Sequence, residues 1–153
     1  MAVYLVRHAK AGARGYGAAD EQRALTDAGW QQADALAGWL GPLATGRLLS
    51  SPYLRCRQTL EPLSARIGRE VESVVWLSEA MPFGPVLDQL LELPDGSVLC
   101  SHGDLIPDVV AALIRRGTLT LGEPRWEKGS AWVLERDTES VVTALPVAAG
   151  YSL

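Results

Sequence analysis

Two histidines, two arginines and a glutamate carry most of the chemistry this sequence offers. His8 ends the apolar run AVYLVR and directly follows Arg7, in the stretch YLVRHAKAG. The only other histidine, His102, has the same setting: it follows VLCS and precedes Gly103 and Asp104 in LCSHGD. Arg55 lies in SSPYLRCRQT, and Glu79 follows Ser78 after VESVVWL. A neutral imidazole can attack phosphorus, and positive charge beside it lowers its affinity for protons. Guanidinium groups are shaped for bidentate binding of phosphate oxygens. The set therefore points to phosphoryl transfer. His8 is the expected nucleophile, its second ring nitrogen held as a donor by a backbone carbonyl. Arg7, Arg55 and His102, with Gly103 beside it, are expected to bind the phosphoryl group, and Glu79 to protonate the leaving oxygen and then activate water.

Each residue also has a plainer reading. A histidine at a strand end often serves as a hydrogen-bonded core residue, Arg55 could be a surface arginine, and Glu79 a solvated carboxylate. The elements that position them favour chemistry. Ala2 to Arg7, Arg47 to Ser50, Val71 to Leu77 and Val98 to Ser101 read as strands, and a polar cluster follows each one. If the strands are parallel, all four clusters face one edge of the sheet, where open α/β sheets bind ligands.

Between the strands, Thr26 can cap a helix over DAGWQQADALAGWL that Gly41 ends. Ser51 is expected to cap a second helix with Pro52 at its first position, running through YLRCRQTLEPLSARI to Gly68. Pro62 should kink that helix or stop it at Glu61. A third helix is expected over Pro85 to Leu93. A fourth spans DLIPDVVAALIRR, with Asp104 as its cap, Pro107 in its first turn and Gly117 closing it. TLTLGEPRWEKG reads as a long loop, a connection rather than a partner surface, and SAWVLER with SVVTALPVA as a closing hairpin. The predicted architecture is α/β: one domain over residues 1–153, a three-layer sandwich with a mainly parallel central sheet, an antiparallel edge and helices on both faces.

The totals narrow the function further. The chain has 153 residues, 14 Lys and Arg against 18 Asp and Glu, and a formal net charge of −4. That balance argues against nonspecific binding to nucleic acid or to anionic membranes, which need a basic footprint. An anionic substrate thus needs a local positive pocket. The two cysteines, Cys56 and Cys100, form no CxxC or zinc-type spacing and read as reduced packing residues. The apolar run in MAVYLVRH is too short for a signal-peptide core, and no stretch reaches the ~20 apolar residues of a membrane span. A cytoplasmic protein is expected. No HExxH-like spacing is present, and arginines would repel a cation, so neither metal nor cofactor is expected. The glycine-rich GARGYGAAD matches no phosphate loop and reads as flexible, with Lys10 or Arg14 able to reach a substrate.

Taken together, LVRHAKAG, SSPYLRCRQT and LCSHGD resemble the histidine phosphatase superfamily, the phosphoglycerate-mutase-like fold. RALTDAGWQQADALAGWL is similar to that family's R-x-L-T-x-x-G-x-x-Q-A helix. The resemblance implies that His8 is phosphorylated during turnover, that Arg7, Arg55 and His102 complete the phosphate pocket, and that Glu79 stands where many members keep a proton donor. The chain looks most like the compact SixA-type phosphohistidine phosphatases and the phosphatase domain of some two-domain Nudix hydrolases, with little room for the lid of phosphoglycerate mutases. Its implied substrates are a phosphohistidine protein, a nucleotide or another small phosphorylated molecule. A phosphoglycerate-mutase-like phosphotransferase and a non-catalytic phosphate-binding module are the alternatives.

Overall fold

In β1 (Ala2–Arg7) alternate side chains leave on opposite faces, and this sorts the layers. Val3 and Leu5 join one apolar cluster, while Tyr4 and Val6 join another. The computed structural model describes residues 1–15 and 17–150. After β1 come a short helix α1 (Ala18–Glu21), α2 (Asp27–Leu40), β2 (Leu48–Ser50), α3 (Leu54–Ile67) and β3 (Val71–Ser73). A 3-10 turn at Val75–Leu77 leads to α4 (Gly84–Leu90), β4 (Val98–Ser101), α5 (Leu105–Arg115), β5 (Leu119–Thr120), β6 (Ala131–Arg136) and β7 (Val141–Val147).

The strands form one sheet in the order β3-β2-β4-β1-β6-β7-β5. Leu36, Leu40, Leu60 and Leu63 of α2 and α3 pack on the face that carries Tyr4, Val6 and Leu48. Leu87 and Leu90 of α4, and Val109, Val110 and Leu113 of α5, cover the face of Leu5, Leu49 and Leu99. This is the expected three-layer α/β sandwich. β1, β2, β3 and β4 pair in parallel, and β6 runs antiparallel to both β1 and β7.

Register brings the histidines together. Arg7 lies level with Ser101 in the parallel β1–β4 pair, so His8 and His102 are the next residues at the same edge. The backbone N–H of His8 continues the ladder to the Ser101 carbonyl at 3.0 Å.

Several local expectations change. Pro62 neither breaks nor ends α3, which runs unbroken through it. Leu60 and Leu63 flank the proline and are wholly buried, and their packing outweighs the missing backbone bond. The third strand stops at Ser73 and turns into the 3-10 segment, and the α4 helix is shorter than expected. Two residues of the expected long loop, Leu119 and Thr120, pair in parallel with Thr143 and Ala144. The β6–β7 hairpin is therefore one strand in from the edge. A two-residue strand has no periodicity to read.

Candidate active site

His8 is the first residue past β1, and only 4% of its surface is exposed. Its Nδ1 lies 2.8 Å from the Ala9 carbonyl oxygen, which accepts and cannot donate, so Nδ1 carries the hydrogen and Nε2 keeps its lone pair. Burial, then the neighbouring His102 and the charges of Arg55 and Arg7, hold the His8 pKa down to about 3, against the opposing pull of the Ala9 carbonyl. The ring is neutral at any physiological pH. The following residue ties this segment to α3: Ala9 N–H donates to Thr59 Oγ1 at 2.9 Å, and that hydroxyl donates to the Arg55 carbonyl at 2.7 Å.

Arg55, in the first turn of α3, is fully buried and lies over the Tyr53 ring at 4.9 Å. Its Nη1 donates to the Asp20 carbonyl at 2.9 Å, and its Nη2 stands 3.4 Å from both Asp20 Oδ2 and Glu79 Oε1. Although burial opposes it, the charges of Arg55 and Arg23 hold the Asp20 carboxyl below its usual range. Arg7 donates from Nη1 to the Trp126 carbonyl at 2.6 Å. Gly103 makes this possible, because a Cβ there would lie 2.6 Å from the Arg7 guanidinium carbon. Burial lowers the Arg7 pKa, while Asp104 and Glu127 counter it.

His102 is 1% exposed, with its ring centroid 5.5 Å from that of His8 and 4.8 Å from that of Tyr53. Ser51 Oγ lies 2.8 Å from His102 Nε2. That oxygen also accepts from Tyr53 N–H at 3.2 Å, and its remaining lone pair and its hydrogen both suit Nε2; in the tautomer where Ser51 donates, Nδ1 of His102 carries the hydrogen. At this site Arg7 Nε, Arg55 Nε and His102 Nδ1 are buried and have no hydrogen-bond partner among the described residues. Buried donors are normally satisfied, and orphans gathered around one imidazole call for an acceptor from outside the chain. A tetrahedral oxyanion supplies several acceptor oxygens at once.

These groups border a cleft of about 680 Å3 whose wall includes Arg7, His8, Glu79, Gly103 and Asp104, with Arg55 and His102 buried behind it. The structure thus brings together all six residues singled out from the sequence. Glu79 Oε2 also meets Arg14 Nη2 at 3.2 Å. Asp104 does not cap α5, since its side chain makes no capping bond there. It accepts instead from Ala80 N–H at 2.8 Å, holding a non-glycine residue at φ +61° directly after Glu79. Ser51 is likewise no helix cap; Tyr53 holds that position, and the serine serves His102. Among the described residues, no group of three or more His, Cys, Asp or Glu is placed to hold a metal ion.

Sequence reasoning missed Asp20, Ser51 and Thr59, whose roles depend on partners far along the chain. It also left the helix motif unexplained. Thr26 caps α2 as expected and its N–H donates to the Lys10 carbonyl at 3.0 Å. Gly29 packs on the same carbonyl so closely that a Cβ would lie 2.0 Å from it. Arg23 Nη1 donates to the Gly12 carbonyl at 2.9 Å, and Lys10 N–H donates to Gln32 Oε1 at 2.9 Å. The motif pins the segment that leaves the His8 strand.

Residues 3–85 match the sequence model of the histidine phosphatase superfamily (branch 1). The chain belongs to that superfamily. This histidine phosphatase family member is 31% identical over 149 residues to an 8-oxo-(d)GTP phosphatase of Mycolicibacterium smegmatis, covering 93% of this chain and 46% of that protein. The chain therefore spans about half the length of that curated relative. Among solved structures, the protein histidine phosphatase SixA complexed with tungstate superposes with a TM-score of 0.73 at 26% identity, over 90% of each chain. A mycobacterial glucosyl-3-phosphoglycerate phosphatase in complex with VO3 shares the fold, with a TM-score of 0.68 at 21% identity over 92% of this chain and 95% of that one.

Proposed function

We propose that this chain is a phosphatase that works through a phosphohistidine on His8, with residues 1–153 as one catalytic domain. The observation that carries the reading is the pairing of a neutral imidazole, its Nε2 free, with three unpartnered buried nitrogens around it, two of them guanidinium N–H donors. The Nε2 lone pair attacks phosphorus, the bond from phosphorus to the leaving oxygen breaks, and that oxygen departs with the electron pair. Arg7, Arg55 and His102 hold the phosphoryl oxygens as charge shifts onto them. Glu79, on the cleft wall, supplies the proton to leaving oxygens that need one and then takes a proton from water. Water attacks the phosphohistidine, the P–N bond breaks, its electrons return to Nε2, and inorganic phosphate leaves.

The names of the relatives, which act on a phosphorylated nucleotide and on phosphorylated protein histidine, support a phosphorylated substrate. Para-nitrophenyl phosphate tests the reading. Wild type should release inorganic phosphate, and His8→Ala should lose at least about a thousandfold in kcat/KM. Turnover that survives the substitution rejects His8 as nucleophile, and an isomeric ester in place of inorganic phosphate identifies a mutase. No turnover at all leaves only a binding module. Vanadate and tungstate should inhibit competitively, as oxyanion occupants of the donor cage. We further propose that the reaction needs no metal, so the rate should be unchanged by a chelator.

A further inference from the structure

Beyond the donor cage, the cleft carries positive charge that this mechanism does not use. Lys128 and Arg23 line the cleft alongside Arg7 and His8. Among the described residues neither the Lys128 nor the Lys10 ammonium is paired with a carboxylate. The acids nearby are engaged elsewhere: Glu79 with Arg14 and Arg55, Asp104 with Ala80 N–H, Glu127 with Arg125. Burial, then the charges of Arg7, Arg23, Lys10 and Arg55, push the Lys128 pKa down.

The arrangement is built rather than incidental. One side chain, Gln32 of α2, clamps both lysine-bearing segments: its Oε1 accepts from Lys10 N–H at 2.9 Å and its Nε2 donates to the Lys128 carbonyl at 3.3 Å. Gly129 N–H then donates to the His8 carbonyl at 3.1 Å, which fixes Lys128 relative to the nucleophile. Arg23 is held at the wall by Asp20 at 3.2 Å and by the Gly12 carbonyl at 2.9 Å. Asp20 balances Arg23, but among the described residues the two ammonium groups have no carboxylate of their own; fixing Lys128 near other cations is unfavourable in the free protein, and an anion relieves it.

Resting on the phosphatase reading above, we propose that Lys128, with Lys10 and Arg23, forms a second anion subsite that receives the next phosphate of a phosphoanhydride. Preferred substrates then carry two or more linked phosphates, as nucleoside triphosphates and inorganic tripolyphosphate do. The chemistry agrees. When His8 takes the terminal phosphoryl group, the leaving group is itself a phosphate, which departs with the electron pair of the broken P–O bond and needs little help from an acid. Negative charge grows on that group in the transition state, where the Lys128 ammonium can hold it. Glu79, with an oxygen on each of two guanidinium groups, is then not required to protonate the leaving group and keeps only its role toward water. A monoester with an uncharged remainder places nothing at this subsite.

The test compares wild type, Lys128→Ala, Lys128→Arg and Lys10→Ala on para-nitrophenyl phosphate, a nucleoside triphosphate and inorganic tripolyphosphate. The readout is the ratio of kcat/KM on each polyphosphate to kcat/KM on the monoester. Lys128→Ala should lower that ratio about tenfold or more, the size of one charge-assisted contact, and Lys128→Arg should restore most of it. Pyrophosphate should inhibit monoester turnover at lower concentration than orthophosphate does, with the gap closing in Lys128→Ala. A loss on the nucleotide alone assigns the subsite to nucleotides, and a loss on both to any linked phosphate; either supports the proposal. Ratios unchanged within twofold in an enzyme whose monoester turnover depends on His8 overturn the subsite and leave the phosphatase reading intact. Failure of wild type on all three substrates overturns the phosphatase reading and the subsite with it.

Discussion

At the scale of single residues, the site rests on which nitrogen of each ring is committed. His8 commits Nδ1 to Ala9, and His102 commits Nε2 to Ser51. With Ser51 donating, what remains is one nucleophilic lone pair and one donor, 5.5 Å apart by ring centroid. His102→Ala removes a phosphoryl donor, and kcat on para-nitrophenyl phosphate should fall about 10²–10³-fold, read by steady-state kinetics. The depressed His8 pKa also makes a stability prediction. Its folded value of about 3 lies below the ordinary value of 6.5, so between those limits the unfolded chain binds more protons than the folded one. Stability from this group is therefore full above about pH 6.5 and is lost as pH falls toward 3. His8→Gln, which cannot titrate, should flatten the fall of Tm with decreasing pH across that window. An equally steep fall in the variant would place the acid sensitivity elsewhere.

At the scale of elements, β1, β2 and β4 were legible because buried parallel strands read as short apolar runs, whereas the partly exposed β3 ends at Ser73 and a 3-10 turn carries the chain on to Glu79. The helices were legible from their apolar spacing and glycine stops. That polar clusters meet at one sheet edge followed from topology alone. The level register of Arg7 with Ser101 did not, because pairing partners are not written locally. For the same reason Ser51 and Asp104 were misread as caps: a serine or aspartate before a helix looks alike whether it bonds that helix or a residue 51 or 24 positions away. Pro62 was misjudged because local backbone cost was visible and the burial of Leu60 and Leu63 was not. Pro62→Ala restores a helix donor, and urea denaturation should show a gain of about 1–3 kcal/mol. Gly29→Ala goes the other way. Its Cβ would collide with the Lys10 carbonyl, so α2 or the His8 segment must shift, costing about 1–3 kcal/mol in the same assay and lowering kcat as well.

At the scale of the whole molecule, charge is distributed against the average. The chain is acidic overall, with a net charge of −4, yet the cleft holds Arg7, Arg14, Arg23 and Lys128. A cationic cleft in an acidic surface concentrates its field where an anionic substrate must arrive. Composition revealed the acidic background and could not reveal the cleft, whose charges come from both ends of the chain. The kcat/KM for anionic substrates should accordingly fall as ionic strength rises through the range where the screening length is ~10 Å or less. None of the described helices is long and apolar enough to cross a membrane. The central claim is that the phosphoryl group rests on His8 between its two transfers. Rapid quenching of wild type during turnover, followed by peptide mass mapping at alkaline pH, tests it most directly. One added phosphoryl group on the peptide containing His8, absent from His8→Ala, is the result expected. A catalytically active enzyme in which His8 never carries phosphate, or in which the label sits on His102, would contradict the account.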